Sequence, residues 1–129
     1  MAKKISKYFS DTEFKCKSGN CEMPPINFYL LGVLDFVRWK TDRPIYITSG
    51  YRCPDHNKRV GGSSKSQHLL GRAADFYSKD VGVELLYAML DKSAFSNSIG
   101  LGIYDSWIHV DSRGIFSKVQ PPARWDERT

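Results

Sequence analysis

The chain has 129 residues, 41% of them hydrophobic and 13% aromatic, with a formal net charge of +5. That length and composition fit one globular domain with its own core, residues 1–129, and exclude a disordered or fibrous chain. No run approaches the roughly 18 apolar residues of a membrane span, and the lysines near the start have no apolar stretch behind them, so no secretory signal is expected and synthesis in the cytoplasm is.

Residues 1–23 read as an irregular N-terminal arm, with Phe9 and Phe14 docking on the core because bare aromatics in an arm need cover. Pro24-Pro25 opens a helix: Ile26, Leu30, Val33, Leu34 and Val37 fall at spacings of three and four, and the pattern stops near residues 39–41, ahead of Pro44. "RPIYITSGYR" alternates β-branched residues and predicts a strand ending at Ser49-Gly50. "CPDHNKRVGG" is a short helical turn, and "GGSSKSQHLLG" a loop rich in glycine and serine. "RAADFYS" predicts a strand with Asp75 near its middle. "VGVELLYAMLD" predicts a helix with Val83, Leu86, Tyr87 and Leu90 on one face. "SIGLGIY" and "WIHVD" predict two strands joined by the two-residue loop Asp105-Ser106, and the tail from Gly114 reads as mostly irregular. Helices mixed with short, hairpin-linked strands give an α+β fold: a small antiparallel sheet with flanking helices.

The basic charge is dispersed. Lys3 with Lys4 and Lys58 with Arg59 are the only adjacent basic pairs, which favours a solvated basic surface over a nucleic-acid site and suits a polyanionic partner. Of three cysteines, Cys16 and Cys21 flank the loop "KSGN" and Cys53 stands apart. Free thiols are expected in a reducing cytoplasm, with a Cys16–Cys21 loop disulfide the alternative after export. A zinc knuckle is not expected, for want of a second ligand pair. Cys53 itself reads as a small buried hydrophobe, and His56 as a residue that caps or packs a turn.

Two histidines and one aspartate carry the chemistry. His68, Asp75 and His109 form a donor set common in catalytic zinc sites, where a fourth position stays open for water. On the strand from Trp107, alternation places Trp107, His109 and Asp111 on one face and Ile108 and Val110 on the other. Asp111 can therefore orient the imidazole of His109 through its second nitrogen, or serve as a general base.

The stretch "SGYRCPDHNKRVGGSSKSQHLLGRAADF", followed by "GIYDSWIHVD", resembles the zinc D-alanyl-D-alanine peptidase family, peptidase family M15, in its short single-domain branch. Its pattern Ser-x-His-x-x-Gly-x-Ala-x-Asp matches Ser66, His68, Gly71, Ala73 and Asp75, and its His-x-Asp element matches His109 and Asp111. "YFSDTEFKC", the "HN" pair and "ARW" also resemble that branch, so the likeness covers nearly the whole chain. It implies a hedgehog-like zinc fold, Zn2+ held by His68, Asp75 and His109, and hydrolysis of an amide bond in a peptidoglycan stem peptide. The implied reaction is that of a D,D-carboxypeptidase or an L-Ala–D-Glu endopeptidase. Arg52 is implied as the arginine that steadies the substrate carbonyl or carboxylate; beside that implication, Ser66, Gln67 and Trp107 are expected as further substrate contacts. Many relatives carry Glu or Asp three residues before the last zinc histidine as general base; here that position is Ser106. Asp111, on the ligand face, is the expected replacement, and Asp105, at a hairpin tip, the other candidate. A monomer acting at the bacterial wall follows, with no membrane span and no nucleic acid, as in a phage lysis enzyme or virion part. A non-catalytic zinc-stabilised wall-binding or phage structural module is the alternative.

Overall fold

The structure, a computed structural model, describes residues 2–19, 21–116 and 123–129. The first long helix, α1 (Phe28–Thr41), starts later than the prolines suggest. Asn27 is the cap: its side chain accepts the Leu30 N–H at 3.0 Å, so Pro24, Pro25 and Ile26 lead into the helix as non-helical chain. Leu30, Leu31, Val33, Leu34 and Val37 form its buried stripe. It ends at Asp42, which adopts a left-handed conformation, φ 52°, two residues before Pro44.

Four further expected elements form close to their predicted limits: β1 (Tyr46–Ser49), α2 (Pro54–Arg59), β2 (Ala73–Tyr77) and α3 (Val83–Asp91). The hairpin β3 (Gly100–Ile103) and β4 (Ile108–Asp111) closes through the Tyr104 N–H to the Trp107 carbonyl, 3.0 Å, around Asp105-Ser106. The serine-rich loop is more ordered than its composition suggests, because Gln67–Leu70 wind into a 3-10 turn.

The tail departs from expectation. Residues 117–122 lie outside the described residues, but Arg124–Asp126 form β5, parallel to β3, so the sheet is mixed with order β1-β2-β4-β3-β5. A three-residue strand has no periodicity to read. Its pairing partners hold it instead: the Leu101 N–H bonds the Ala123 carbonyl and the Glu127 N–H the Ile103 carbonyl. The Arg124 guanidinium adds bonds to the carbonyls of Ile99 and Ser96.

Alternation divides the sheet into an apolar face and a polar face. Ala74, Phe76, Leu101, Ile103, Ile108 and Val110 join the core with α1 and with Leu86 and Leu90 of α3. The arm caps this core through Phe9 and Phe14, whose rings meet edge to face at 6.0 Å. Asp35 of α1 pins the same arm by accepting from the Ser6 hydroxyl and the N–H groups of Lys7 and Tyr8. Phe14 is fully buried. Phe14→Ala is accordingly expected to cost about 3–5 kcal/mol of stability, read as a shift in the urea unfolding midpoint at unchanged slope.

The cysteines pair neither as free thiols nor across the "KSGN" loop. Cys21 is bonded to Cys53, and Cys16 is the free, buried thiol. Folding carries the arm back over the turn between β1 and α2, and that long-range contact brings Cys53 to its partner. Among the described residues no helix is long and apolar enough to cross a membrane.

Candidate metal centre

On the polar face one cross-strand row runs through all five strands: Ser49, Asp75, His109, Gly102 and Trp125 are successive register partners. Asp75 and His109 are thus direct neighbours on stiff, paired backbone. His68 arrives from the 3-10 turn Gln67–Leu70. Ser66 starts that turn by accepting the His68 N–H at 3.2 Å, and Gly71 ends it at φ +68°, a left-handed conformation that favours glycine. The Arg52 N–H bonds the His68 carbonyl at 3.1 Å, tying the turn to the end of β1.

The three side chains converge, with ligand atoms all within 4.8 Å of one another. Asp75 Oδ1 lies 2.9 Å from His109 Nδ1 and 3.3 Å from His68 Nε2. His68 Nδ1 donates to the Gly50 carbonyl at 2.6 Å, which leaves Nε2 as the nitrogen with the lone pair. That Nε2 is buried and has no hydrogen-bond partner. An unsatisfied imidazole nitrogen aimed at a carboxylate and a second imidazole is what a divalent cation completes, so the residues present fit zinc.

Electrostatics prepare the site. Burial opposes ionisation of Asp75, yet the imidazoles of His109 and His68 beside it, when protonated, hold its carboxyl well below the usual range. Asp111 is likewise held ionised, against burial, by His109 and Arg113. Burial opposes a proton on His109, but Asp111 and Asp75 together raise its pKa.

Asp111 stands behind His109, away from the convergence. Its Oδ2 is 2.8 Å from His109 Nε2, its carboxylate takes a two-pronged bond from the Arg113 guanidinium, and Oδ1 accepts the Gly100 N–H. It is fully buried. Held this way, it keeps the proton of His109 on Nε2 and turns Nδ1 toward Asp75 and His68. Asp111→Asn is expected to weaken zinc binding about 10- to 100-fold, measured by competition against a chromophoric chelator, since the orienting charge is lost while the three ligands stay.

A cavity of about 510 Å³ opens over the cluster. Of the residues expected to meet substrate, Arg52, Ser66, Gln67 and Trp107 all line it. Arg52 is braced: Nε donates to Ser49 Oγ, Nη1 to Asn57 Oδ1, and Nη2 lies 3.4 Å from Asp75 Oδ2. The two carboxylates expected to move the proton do not line this cavity. Asp111 is walled off by His109, and Asp105 sits at the exposed hairpin tip, accepting from the Thr129 N–H and hydroxyl. His56, on α2, is outside the metal cluster.

Four contributors escaped the sequence reading. Trp125 lies 5.0 Å from the His109 ring, and its indole N–H donates to the Tyr104 hydroxyl. Tyr104 in turn stacks on Trp107 at 4.5 Å, so three aromatics form one wall. Arg113 lines the cavity from the same side. Gly102 makes room: a Cβ there would collide with the Trp125 indole. The alternating glycines of "SIGLGIY" signal a gap on one face, but nothing local identifies the residue that fills it. Together Arg52, Lys65 and Arg113 make the cavity rim cationic.

Comparison with known proteins agrees with this geometry. The family model described as Peptidase M15 matches residues 7–111, a span that includes all three converging side chains. A zinc D-Ala-D-Ala carboxypeptidase of Streptomyces albus G is similar, 34% identical over 61 residues. The shared stretch covers 47% of this chain and 24% of that protein, so the chain spans about a quarter of the length of the curated relative it matches.

Proposed function

The chain belongs to the peptidase M15 family, and from that premise we propose that it is a zinc metallopeptidase hydrolysing an amide bond in peptidoglycan stem peptides. The observation that carries this reading is the convergence of His68, Asp75 and His109 on one point, with the buried Nε2 of His68 unsatisfied. A zinc ion held by those three residues supplies a Lewis acid and lowers the pKa of a water into the neutral range.

The chain's own residues do the rest. Arg52, fixed by Ser49 and Asn57, presents guanidinium N–H groups beside the metal position, where they stabilise a developing oxyanion or clamp a peptide carboxylate. The cationic rim favours a substrate ending in a carboxylate, and the net charge of +5 suits a polyanionic wall. Trp107, Tyr104 and Trp125 give the stem peptide an apolar wall and shield the cluster from water. We assign Asp111 the task of holding the Nε2 proton of His109 rather than taking one from the cavity, and Asp105 no part in proton transfer.

A second reading has one observation in its favour: among the described residues, Asp75 is the only carboxylate lining the cavity. A zinc-stabilised wall-binding module needs no other. The two readings separate when zinc-loaded protein is incubated with purified peptidoglycan. Release of free D-alanine marks a D,D-carboxypeptidase, and a new amino terminus on D-glutamate marks the endopeptidase. Sedimentation with the wall polymer and no new amino groups would leave the binding module.

A further inference from the structure

A second cluster of metal-binding atoms lies at the seam between the N-terminal arm and the start of α2. The sulfurs of Cys16, Cys21 and Cys53 all lie within 4.8 Å of one another, with Cys16 Sγ 3.7 Å from Cys53 Sγ. The Ser18 hydroxyl stands among them, 3.2 Å from Cys16 Sγ, 3.3 Å from Cys21 Sγ and 3.8 Å from Cys53 Sγ. A tetrahedral zinc site with bonds of about 2.3 Å to sulfur and 2.0 Å to oxygen has S–S edges of about 3.8 Å and S–O edges of about 3.5 Å. The Cys16–Cys53 edge and the three edges from the Ser18 oxygen are already near those lengths, and breaking the Cys21–Cys53 bond frees its two sulfurs to move apart to the remaining corners. We propose that, once the Cys21–Cys53 bond is reduced, Cys16, Cys21 and Cys53 form a second metal site, a three-thiolate seat for a borderline-soft divalent cation of the zinc type, with the Ser18 hydroxyl or a water it holds at the fourth corner.

The surroundings suit an anionic thiolate cluster. Three thiolates around a divalent ion carry a net charge of −1, and Lys58 and Arg59 line the cavity beside Cys21 and Cys53, with Asp55 the one opposing charge there. The Cys53 backbone N–H points at Cys16 Sγ at 3.4 Å. Burial disfavours the Cys16 thiolate, but hydrogen bonds from Ser18 and the Cys53 backbone and the charge of Arg59 bring its pKa down. The chemistry balances: a phosphine or thiol reductant gives the disulfide two electrons, two protons complete the thiols, and the cation displaces three protons on binding. The ion does in a reducing compartment what the disulfide does in an oxidising one, clamping the arm to the turn that carries Arg52. The inference is independent of the peptidase reading.

Cobalt(II) titrated into the full-length chain, reduced with a phosphine, tests it. The expected result is a near-ultraviolet thiolate-to-cobalt charge-transfer band that saturates at one equivalent in the wild type and in Asp75→Ala. The band should vanish in Cys16→Ser and in the oxidised protein. No band in the reduced wild type, or a full band in Cys16→Ser, overturns the proposal. As a check needing no variant, zinc should protect all three thiols of the reduced wild type from alkylation, read by mass; three thiols alkylated at the metal-free rate would also overturn it. Absence of a second, thiolate-free cobalt equivalent from the wild type, with the band intact, would instead count against the His68–Asp75–His109 site.

Discussion

With the Cys21–Cys53 disulfide intact, Asp75→Ala is expected to reduce bound zinc from one ion per chain to a trace and peptidoglycan hydrolysis by about a thousandfold. The fold-change corresponds to roughly 4 kcal/mol of lost transition-state stabilisation, in line with removing a Lewis acid. Asp75 supplies the negative charge in the proposed donor set and bridges both imidazoles through one oxygen. Two neutral imidazoles alone hold zinc far more weakly, and the neighbouring Arg52 guanidinium then repels the cation without compensation. Elemental analysis of dialysed protein checks the metal, and amino-group release checks the turnover. Zinc retained at one equivalent in this variant would refute the assignment of the centre.

Arg52→Ala is expected to lower kcat about 10²- to 10³-fold while zinc content stays at one ion per chain. The guanidinium touches the carboxylate oxygen of Asp75 that faces away from the imidazoles, so its removal would empty the proposed oxyanion position without removing a proposed ligand. Arg52→Lys should recover little. A single ammonium cannot reach Ser49, Asn57 and the reacting carbonyl together, whereas the planar fork is already bonded to the first two. Zinc lost from Arg52→Ala would show that the residue builds the centre instead of acting on substrate.

How much was legible beforehand follows the range of the interactions. The face of β4 was readable from Trp107, His109 and Asp111, because period-two alternation is a local property. The stripe of α1 was readable for the same reason, while its start was not: the side chain of Asn27 decides it, over the proline pair. β5 and the Trp125 wall are invisible locally, since partners more than twenty residues upstream supply their hydrogen bonds and their space. The disulfide belongs to the same class, its ends 32 positions apart in sequence. Asp111 illustrates a subtler loss. Alternation placed it correctly on the polar face, but only Arg113 and Gly100 show that its carboxylate is already committed.

The row of partners from Ser49 to Trp125 also bears on how faithfully the sheet assembles. Sliding β4 by one residue against β2 and β3 would turn Ile108 and Val110 toward water and drive His109 and the ionised Asp111 into the greasy layer beneath α1 and α3. Desolvating that charge without Arg113 is prohibitive. The polar groups of the candidate centre therefore act as a proofreading device during assembly, penalising every misaligned zipper of these strands before a cation ever arrives.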